Sequence, residues 1–379
     1  MNVTFLRTNR IDPDPRVEKE VGSLLELPEI QVNAVVWDRG EKYKRKERKL
    51  EICGKAISVT QFGIPASWGG GMKKNMLPMM SFEWRLFWWL IKNHKTYDVV
   101  HACDLLTGLP ALIPCTLFKK KMVYDIFDFY AATQSGPAWI LNIFKKLEFH
   151  VIKKASAVII CSEKRKEQIA GSSPKKLIVL HNAPSSNQLN ASGNLELQSR
   201  EKNVMRVAYV GNLVPDRYVL ECIEAVKQLD GLEMHVGGYG VLEDKIKEIA
   251  LNSDKVFFYG KLSYDQVISL EKQCDIMVAF YDPKVPNHAY AAPNKFYEAL
   301  SLGKPLVMFK NTGMDAVISE NAIGCVCEAD VQSIREALSK LSSRRNEFGE
   351  ISSKEKTLFK ETYCWEIMGE RLKSLYQEL

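Results

Sequence analysis

The chain has 379 residues, 46% of them hydrophobic and 26% charged, which suits two ordinary domains and excludes a disordered chain. The net charge of +6 hides an asymmetry: residues 1–183 balance at +11 and residues 184–379 at −5. A basic first half favours an anionic partner such as a membrane surface or a polyphosphate lipid, the alternative being a solvated surface. No aromatic RNA-binding motif, zinc finger or helix-turn-helix signature is present, which argues against nucleic acid.

In chain order, residues 3–6 form a buried strand leading straight into Arg7 and Arg10, with no signal-peptide pattern. Residues 16–27 are helical, with Val17, Val21, Leu24 and Leu25 on one face. Residues 32–37 are a second strand, and the charge run 41–49 is expected as an exposed loop. Phe82 to Ile91 is apolar nearly all round and reads first as a buried helix. Its surroundings, with Trp68, Met72, Met76, Met79, Met80, Trp84, Phe87, Trp88 and Trp89 beside Lys73, Lys74 and Arg85, also suit a surface that dips into a bilayer. Residues 137–154 repeat that mixture with Trp139, Ile140, Ile143, Phe144 and four lysines, core packing being the alternative for both segments.

Further strand ends fall at 99–101, 122–126, 157–161 and 177–181. The longest uncharged apolar stretch, 105–118, holds two prolines and a glycine and is too short to span a membrane. A polar, turn-rich linker at 183–203 follows. A second alternating unit then places strands at 207–210, 233–236, 256–259, 276–280, 306–309 and 324–327, with helices between them. The alternation predicts an α/β protein with two doubly wound, Rossmann-like domains facing across a cleft, with ligands outside the strand carboxyl ends. Nine scattered cysteines make neither a disulfide framework nor a zinc site, and Cys325 and Cys327 are expected on opposite sides of a strand. A cytoplasmic protein is expected.

The most informative segment begins at Pro293-Asn294-Lys295-Phe296-Tyr297-Glu298 and ends at Gly303-Lys304-Pro305. A loop runs into a short helix that Gly303 stops, and 306–309 follows as a buried strand. Lys295 and Glu298, three apart, share one face. A cation and a carboxylate at a helix N-terminus suit a ligand with a diphosphate and vicinal hydroxyls. An ordinary surface ion pair is the alternative.

This helix resembles the donor-site helix of GT-B glycosyltransferases of family 4, and the resemblance continues along nearly the whole chain. Asp14-Pro15-Arg16-Val17-Glu18 is similar to the segment after their first strand. Asp98-Val99-Val100-His101-Ala102-Cys103-Asp104 and Val123-Tyr124-Asp125-Ile126-Phe127-Asp128 resemble two strand-end motifs. Tyr209-Val210-Gly211-Asn212-Leu213 through Arg217, then 256–260 and 274–278, match later landmarks, and 363–366 opens a terminal helix like theirs.

The resemblance implies a metal-independent, retaining hexosyltransferase with no cofactor beyond a nucleotide-diphosphate sugar as donor. Its acceptor would be a glycan or lipid-linked hydroxyl, used in cell-surface polysaccharide or glycoconjugate synthesis. It implies an acceptor domain at 1–183, joined by the terminal helix 360–379, and a donor domain at 184–359. Peripheral contact with the inner face of the cell membrane would run through the first domain. Donor binding falls to Gly211, Asn212, Arg217, Gly238, Gly260, Lys261, Pro293, Asn294, Lys295 and Glu298. Arg217 and Lys295 would carry the diphosphate charge. His101, Asp125 and Asp128 are the expected catalytic groups, each able to accept a hydroxyl proton from a strand end. A buried hydrogen-bonded histidine and helix-capping carboxylates are the alternatives.

Three positions and one segment depart from the family pattern. Tyr290 stands where a second Glu is usual, Phe127 where a His is usual, and Asn212 where an Arg is usual. Residues 7–13 replace a Gly-rich loop. An inactive scaffold subunit and a nucleotide-sugar epimerase are the alternative functions.

Overall fold

The computed structural model describes residues 1–67, 71–134, 136–189, 193–198 and 203–379. Trp68, the side chain of Lys73 and linker residues 190–192 and 199–202 lie outside what is described. The chain divides into Met1–His181 with Met368–Leu379, and Asn182–Ile367.

The first unit is built on β1 (Asn2–Arg7), β2 (Gln31–Asp38), β3 (Tyr43–Ile52), β4 (Lys55–Gly63), β5 (Val99–Cys103), β6 (Lys121–Ile126), β7 (Ala157–Ile160) and β8 (Leu177–Val179). Their order is β3-β4-β2-β1-β5-β6-β7-β8, and only β3 runs antiparallel to its neighbour. The charge run expected as a loop is therefore largely an edge strand. It pairs with β4 through the tight turn at Cys53 and Gly54, both with positive φ. Its lysines and arginines suit an edge, where charge discourages pairing with another chain.

Helix α1 (Pro15–Leu25) starts at Asp14, whose side chain accepts from the Val17 N–H, with Pro15 in the first turn. Helices α2 (Gly71–Lys92), α3 (Leu105–Leu117) and α4 (Ala138–Lys154) share one core with the sheet. Phe82 and Leu86 of α2, Ala111 and Cys115 of α3 and Val151 of α4 pack with Trp37, Tyr97 and Tyr124. The apolar helix expected to be buried is only half so. Phe82, Leu86 and Leu90 are fully buried, while Trp84 is 63% exposed.

The second unit has β9 (Met205–Asn212), β10 (Leu232–Tyr239), β11 (Val256–Phe258), β12 (Ile276–Ala279), β13 (Leu306–Phe309) and β14 (Gly324–Cys327). All are parallel, in the order β11-β10-β9-β12-β13-β14. Cys325 and Cys327 are both buried in one core layer, against the expectation of opposite sides. Residues i and i+2 of a strand must share a face. Helices α5 (Val219–Lys227), α6 (Tyr264–Gln273), α7 (Asn294–Leu302), α8 (Val331–Ser343) and α9 (Phe348–Leu358) belong to this unit.

The last helix, α10 (Trp365–Gln377), contains the division at Met368. Residues 359–363 stay with the second unit, because Tyr363 packs on Phe296 and Tyr297 of α7. Beyond Met368 the chain belongs to the first unit, where Tyr376 meets His101 and Lys373 meets Glu26.

Candidate functional site

In each sheet the strand order reverses once, leaving a crevice at the carboxyl ends of the two strands that flank the reversal. In the second unit that point lies between β9 and β12. Gly211, near the end of β9, has φ +148, and a Cβ there would meet the Lys295 ammonium. Gly238, on the adjoining strand, has φ +143, and a Cβ there would strike the Gly211 carbonyl oxygen. Only glycine allows this approach and this backbone. The Gly238 N–H donates to the Gly260 carbonyl at 2.7 Å, so the ends of three neighbouring strands meet.

Lys295 enters from the first turn of α7, which begins with exposed Asn294 after buried Pro293 and is closed by Gly303 with φ +69. Its ammonium lies 5.0 Å from the centre of the Tyr209 ring. Burial pulls Lys295 below its ordinary pKa, Glu298 and Glu271 oppose this, and Arg217 adds to it. The Arg217 charge thus reaches the buried Lys295 ammonium and disfavours its charged form. Arg217 stacks over Tyr281 at 4.0 Å and donates to Asp216 Oδ2 at 3.0 Å. It also lies 3.1 Å from His288 Nε2. His288 Nδ1 is 2.9 Å from the Asp282 carbonyl oxygen. With Nδ1–H donating there, Nε2 is left to accept from Arg217. Burial lowers the His288 pKa, which keeps the ring neutral for that role.

Glu298 is 5% exposed, one turn into α7. Behind it lies Glu271 of α6, 1% exposed and pushed well above the usual carboxylate range by burial and by the Glu298 charge. Glu271 and Tyr209 went unrecognised as members of this site. The available signal for Glu271 was a carboxylate three residues after Ile268, on the inward face of α6. Lys261 stands apart, its ammonium 5.2 Å from the exposed Tyr239 ring. Asn212 is exposed, and its carbonyl accepts from the Tyr209 hydroxyl at 2.7 Å.

In the first unit the reversal lies between β1 and β5. Arg7, at the end of β1, bridges Asp14 at 2.8 Å and Asp104 at 2.9 Å. Asp104 has φ +68, a strained conformation for a residue with a Cβ. Burial lifts its carboxyl to about 6, against the pull of Arg7. Asp104 Oδ1 accepts from the Phe127 and Asp128 N–H groups. Phe127 lies beneath Arg7 and Arg16, at 4.1 and 4.7 Å from its ring centre.

His101 and Asp125 do not reach the surface: both are fully buried. Arg16 grips Asp125 with Nη2 at 2.9 and 3.1 Å and Nε at 3.3 Å, and donates to the Leu180 carbonyl. Burial would raise Asp125, yet Arg16 and His101 outweigh it and hold the carboxyl below its ordinary value. His101 stacks on Phe5 at 4.2 Å and places Nδ1 2.7 Å from the Tyr376 hydroxyl. Burial lowers its pKa. His101 and Asp125 are thus enclosed together at the ends of neighbouring strands, and Arg16 and Tyr376 are among their polar contacts. Asp128 differs, with a side chain 58% exposed and 3.1 Å from Arg165. Glu20, His101 and Asp125 place ligand-type atoms within 4.8 Å of one another. The Arg16 guanidinium bonds both carboxylates and supplies the charge they would seek from a cation.

Residues 196–356 match the family described as Glycosyl transferases group 1. Sucrose-phosphate synthase from Thermosynechococcus elongatus is similar over 100% of this chain and 98% of its own, at 13% identity and a TM-score of 0.73. Anabaena HepE in complex with UDP covers 100% of both chains at 14% identity and a TM-score of 0.69. The lipopolysaccharide outer core galactosyltransferase WaaB covers 100% of both at 16% identity and a TM-score of 0.67. No curated protein is similar enough in sequence to count as a relative. The second unit therefore carries a glycosyl transferases group 1 domain, the family 4 type, and the whole chain has the GT-B fold of two Rossmann-like units.

Proposed function

We propose that the protein moves a hexose, with retention, from a nucleotide-diphosphate sugar to a hydroxyl of a glycan or lipid-linked acceptor in cell-surface polysaccharide or glycoconjugate synthesis. The observation that carries this is the pairing of Lys295 with Arg217 beside Gly211, in a group 1 domain, with Glu298 one turn further on. The two cations and the start of α7 would hold the diphosphate, and Glu298 would accept from the ribose hydroxyls. Gly238 and Gly260 would leave room for the nucleoside, with Asn212, Pro293 and Asn294 towards the phosphates and Lys261 reaching in from beside Tyr239. Asp128, whose side chain is exposed, would take the proton of the acceptor hydroxyl, with His101 and Asp125 at the neighbouring strand ends. The names of HepE bound to UDP and of a lipopolysaccharide galactosyltransferase support a nucleotide donor and a lipid-linked glycan acceptor. We place the protein in the cytoplasm, in peripheral contact with the inner face of the membrane through the first unit. No described helix is long and apolar enough to cross a membrane.

A thermal-shift titration with UDP-, GDP- and ADP-sugars tests this. One nucleotide class should raise the melting temperature of the wild type, and Lys295→Ala and Glu298→Ala should each abolish most of the rise. A cooperatively melting protein stabilised by none of them would overturn the proposal. The burial of His101 and Asp125 favours a second reading, a scaffold subunit without catalysis. It predicts a stable partner complex and no nucleotide release with any donor and acceptor pair.

A further inference from the structure

Among the described residues, twelve large hydrophobic side chains are markedly exposed, and nine of them lie on α2, α3 and α4 of the first unit. Such side chains are normally scattered, and a cluster marks a surface that something covers. On α2 the outward residues are Met76 (52% exposed), Met80 (58%), Trp84 (63%) and Trp88 (41%), with Leu77 at 74%. The first four recur every fourth position and so form one stripe, opposite Phe82, Leu86 and Leu90 in the core. Trp84, Phe87 and Trp88 pack edge to face or stacked at 5.5–6.4 Å, which makes the stripe a continuous aromatic ridge. Ile113 and Leu117 project from α3, and Trp139 and Ile143 from α4. Trp139 and Ile143 are again four apart.

The charges of these helices are one-sided. Helix α3 has none. The acidic residue of α2, Glu83, is half-buried and raised to about 7 by burial. That of α4, Glu148, is fully buried, raised to about 8 and bonded to Tyr124. Lys74, Lys92, Lys119, Lys145, Lys146 and Lys153 are all exposed. Tryptophan and methionine flanked by lysine, with the two carboxylates of these helices half-buried or buried, match the interfacial region of an anionic bilayer. A second copy of the chain fits poorly, because it would bring the same lysines face to face.

We propose that the outer face of α2, α3 and α4 is a membrane-docking surface that seats Trp84, Trp88 and Trp139 among the headgroups of an anionic bilayer. The proposal deepens the membrane contact suggested above and rests on that reading for its biological sense. The lysines supply attraction to lipid phosphates, and the aromatic ridge supplies apolar area at headgroup depth. No spanning segment is required, and the second unit is free of this task.

The full chain would be sedimented with phosphatidylcholine vesicles and with vesicles containing phosphatidylglycerol. Binding is expected to the anionic vesicles only, weakened by salt and accompanied by a blue shift of tryptophan emission. Lys145→Gln with Lys146→Gln should lower partitioning about thirtyfold, and Trp84→Ser with Trp88→Ser should abolish the blue shift. These side chains are exposed, so both double variants should keep the wild-type melting temperature and its shift with donor. Absence of vesicle binding, or equal binding by the variants, overturns the docking surface. So does a wild-type dimer that Trp84→Ser dissociates, or capture of an acidic protein in place of lipid. A donor-induced melting shift without vesicle binding removes this inference alone. Vesicle binding without any donor effect removes the glycosyltransferase proposal alone.

Discussion

Arg16 shows how strongly one side chain can set the character of its surroundings. It is 5% exposed and serves Asp125, Glu20 and the Leu180 carbonyl together. Removing one partner of a buried ion pair strands the other, at a cost of about 3–5 kcal/mol. Arg16→Met should therefore lower the stability of the first unit by roughly that amount in urea denaturation. Adding Asp125→Leu should recover much of the loss, because the stranded charge is then gone. A donor-induced melting shift that survives in both variants would place the effect in the first unit's interior. An Arg16→Met protein as stable as wild type would show that Asp125 needs no partner. Lys295 presents the opposite case. Its ammonium is held below its ordinary pKa beside a second cation, a stable cost that an anionic ligand would relieve.

At the scale of elements, α9 carries a buried carboxyl that nothing in the proposed mechanism uses. Glu355 is fully buried, neither oxygen has a hydrogen-bond partner, and burial lifts its carboxyl to about 9 despite Lys304 and Lys356. The sign follows from proton counting. Between the unfolded value of 4.5 and about 9, the folded protein keeps a proton that the unfolded chain releases. Stability is thus fully present below the lower value and is lost as pH rises, with a slope of at most about 1.4 kcal/mol per pH unit. Glu355→Gln, which stays neutral, should match wild type at acid pH and melt higher at mildly alkaline pH. Melting curves across that range check it, and a constant difference at every pH would refute the assignment. Helix α7 owes its placement to its ends, Pro293 before it and Gly303 in the left-handed region after it. That is why the helix carrying Lys295 and Glu298 was identifiable from local sequence.

Across the whole molecule, each unit has its own buried core, one around Trp37, Phe82 and Tyr124 and one around Tyr209, Phe280 and Phe309. A ligand that binds one unit should stabilise that unit directly. Calorimetry with donor at a hundredfold excess over its Kd should raise the transition of the unit holding Lys295 by about 2.7 kcal/mol. Equal movement of all heat absorption would instead indicate one cooperative molecule. The charge asymmetry belongs to this scale too. The basic half is the one that carries the tryptophan ridge, while the acidic half carries the proposed nucleotide site.

The order of strands and helices, the capped start of α1, the glycines at strand ends and the Lys295 helix were all legible in the sequence. Each rests on a periodicity or a capping residue that acts over a few positions. Tertiary structure decided what depends on distant partners. Residues 43–52 became a strand because β4 offered an edge. Arg7 gained its place by joining Asp14 to Asp104 across the strand reversal. Asp125 and His101 were closed off by Arg16 from one helix and Tyr376 from the far end of the chain, 275 residues from His101. The face of α2 that remained open could not be read from a segment apolar all round. A hydrophobic period tells a helix that it must bury something, and only the sheet beneath decides which side that is.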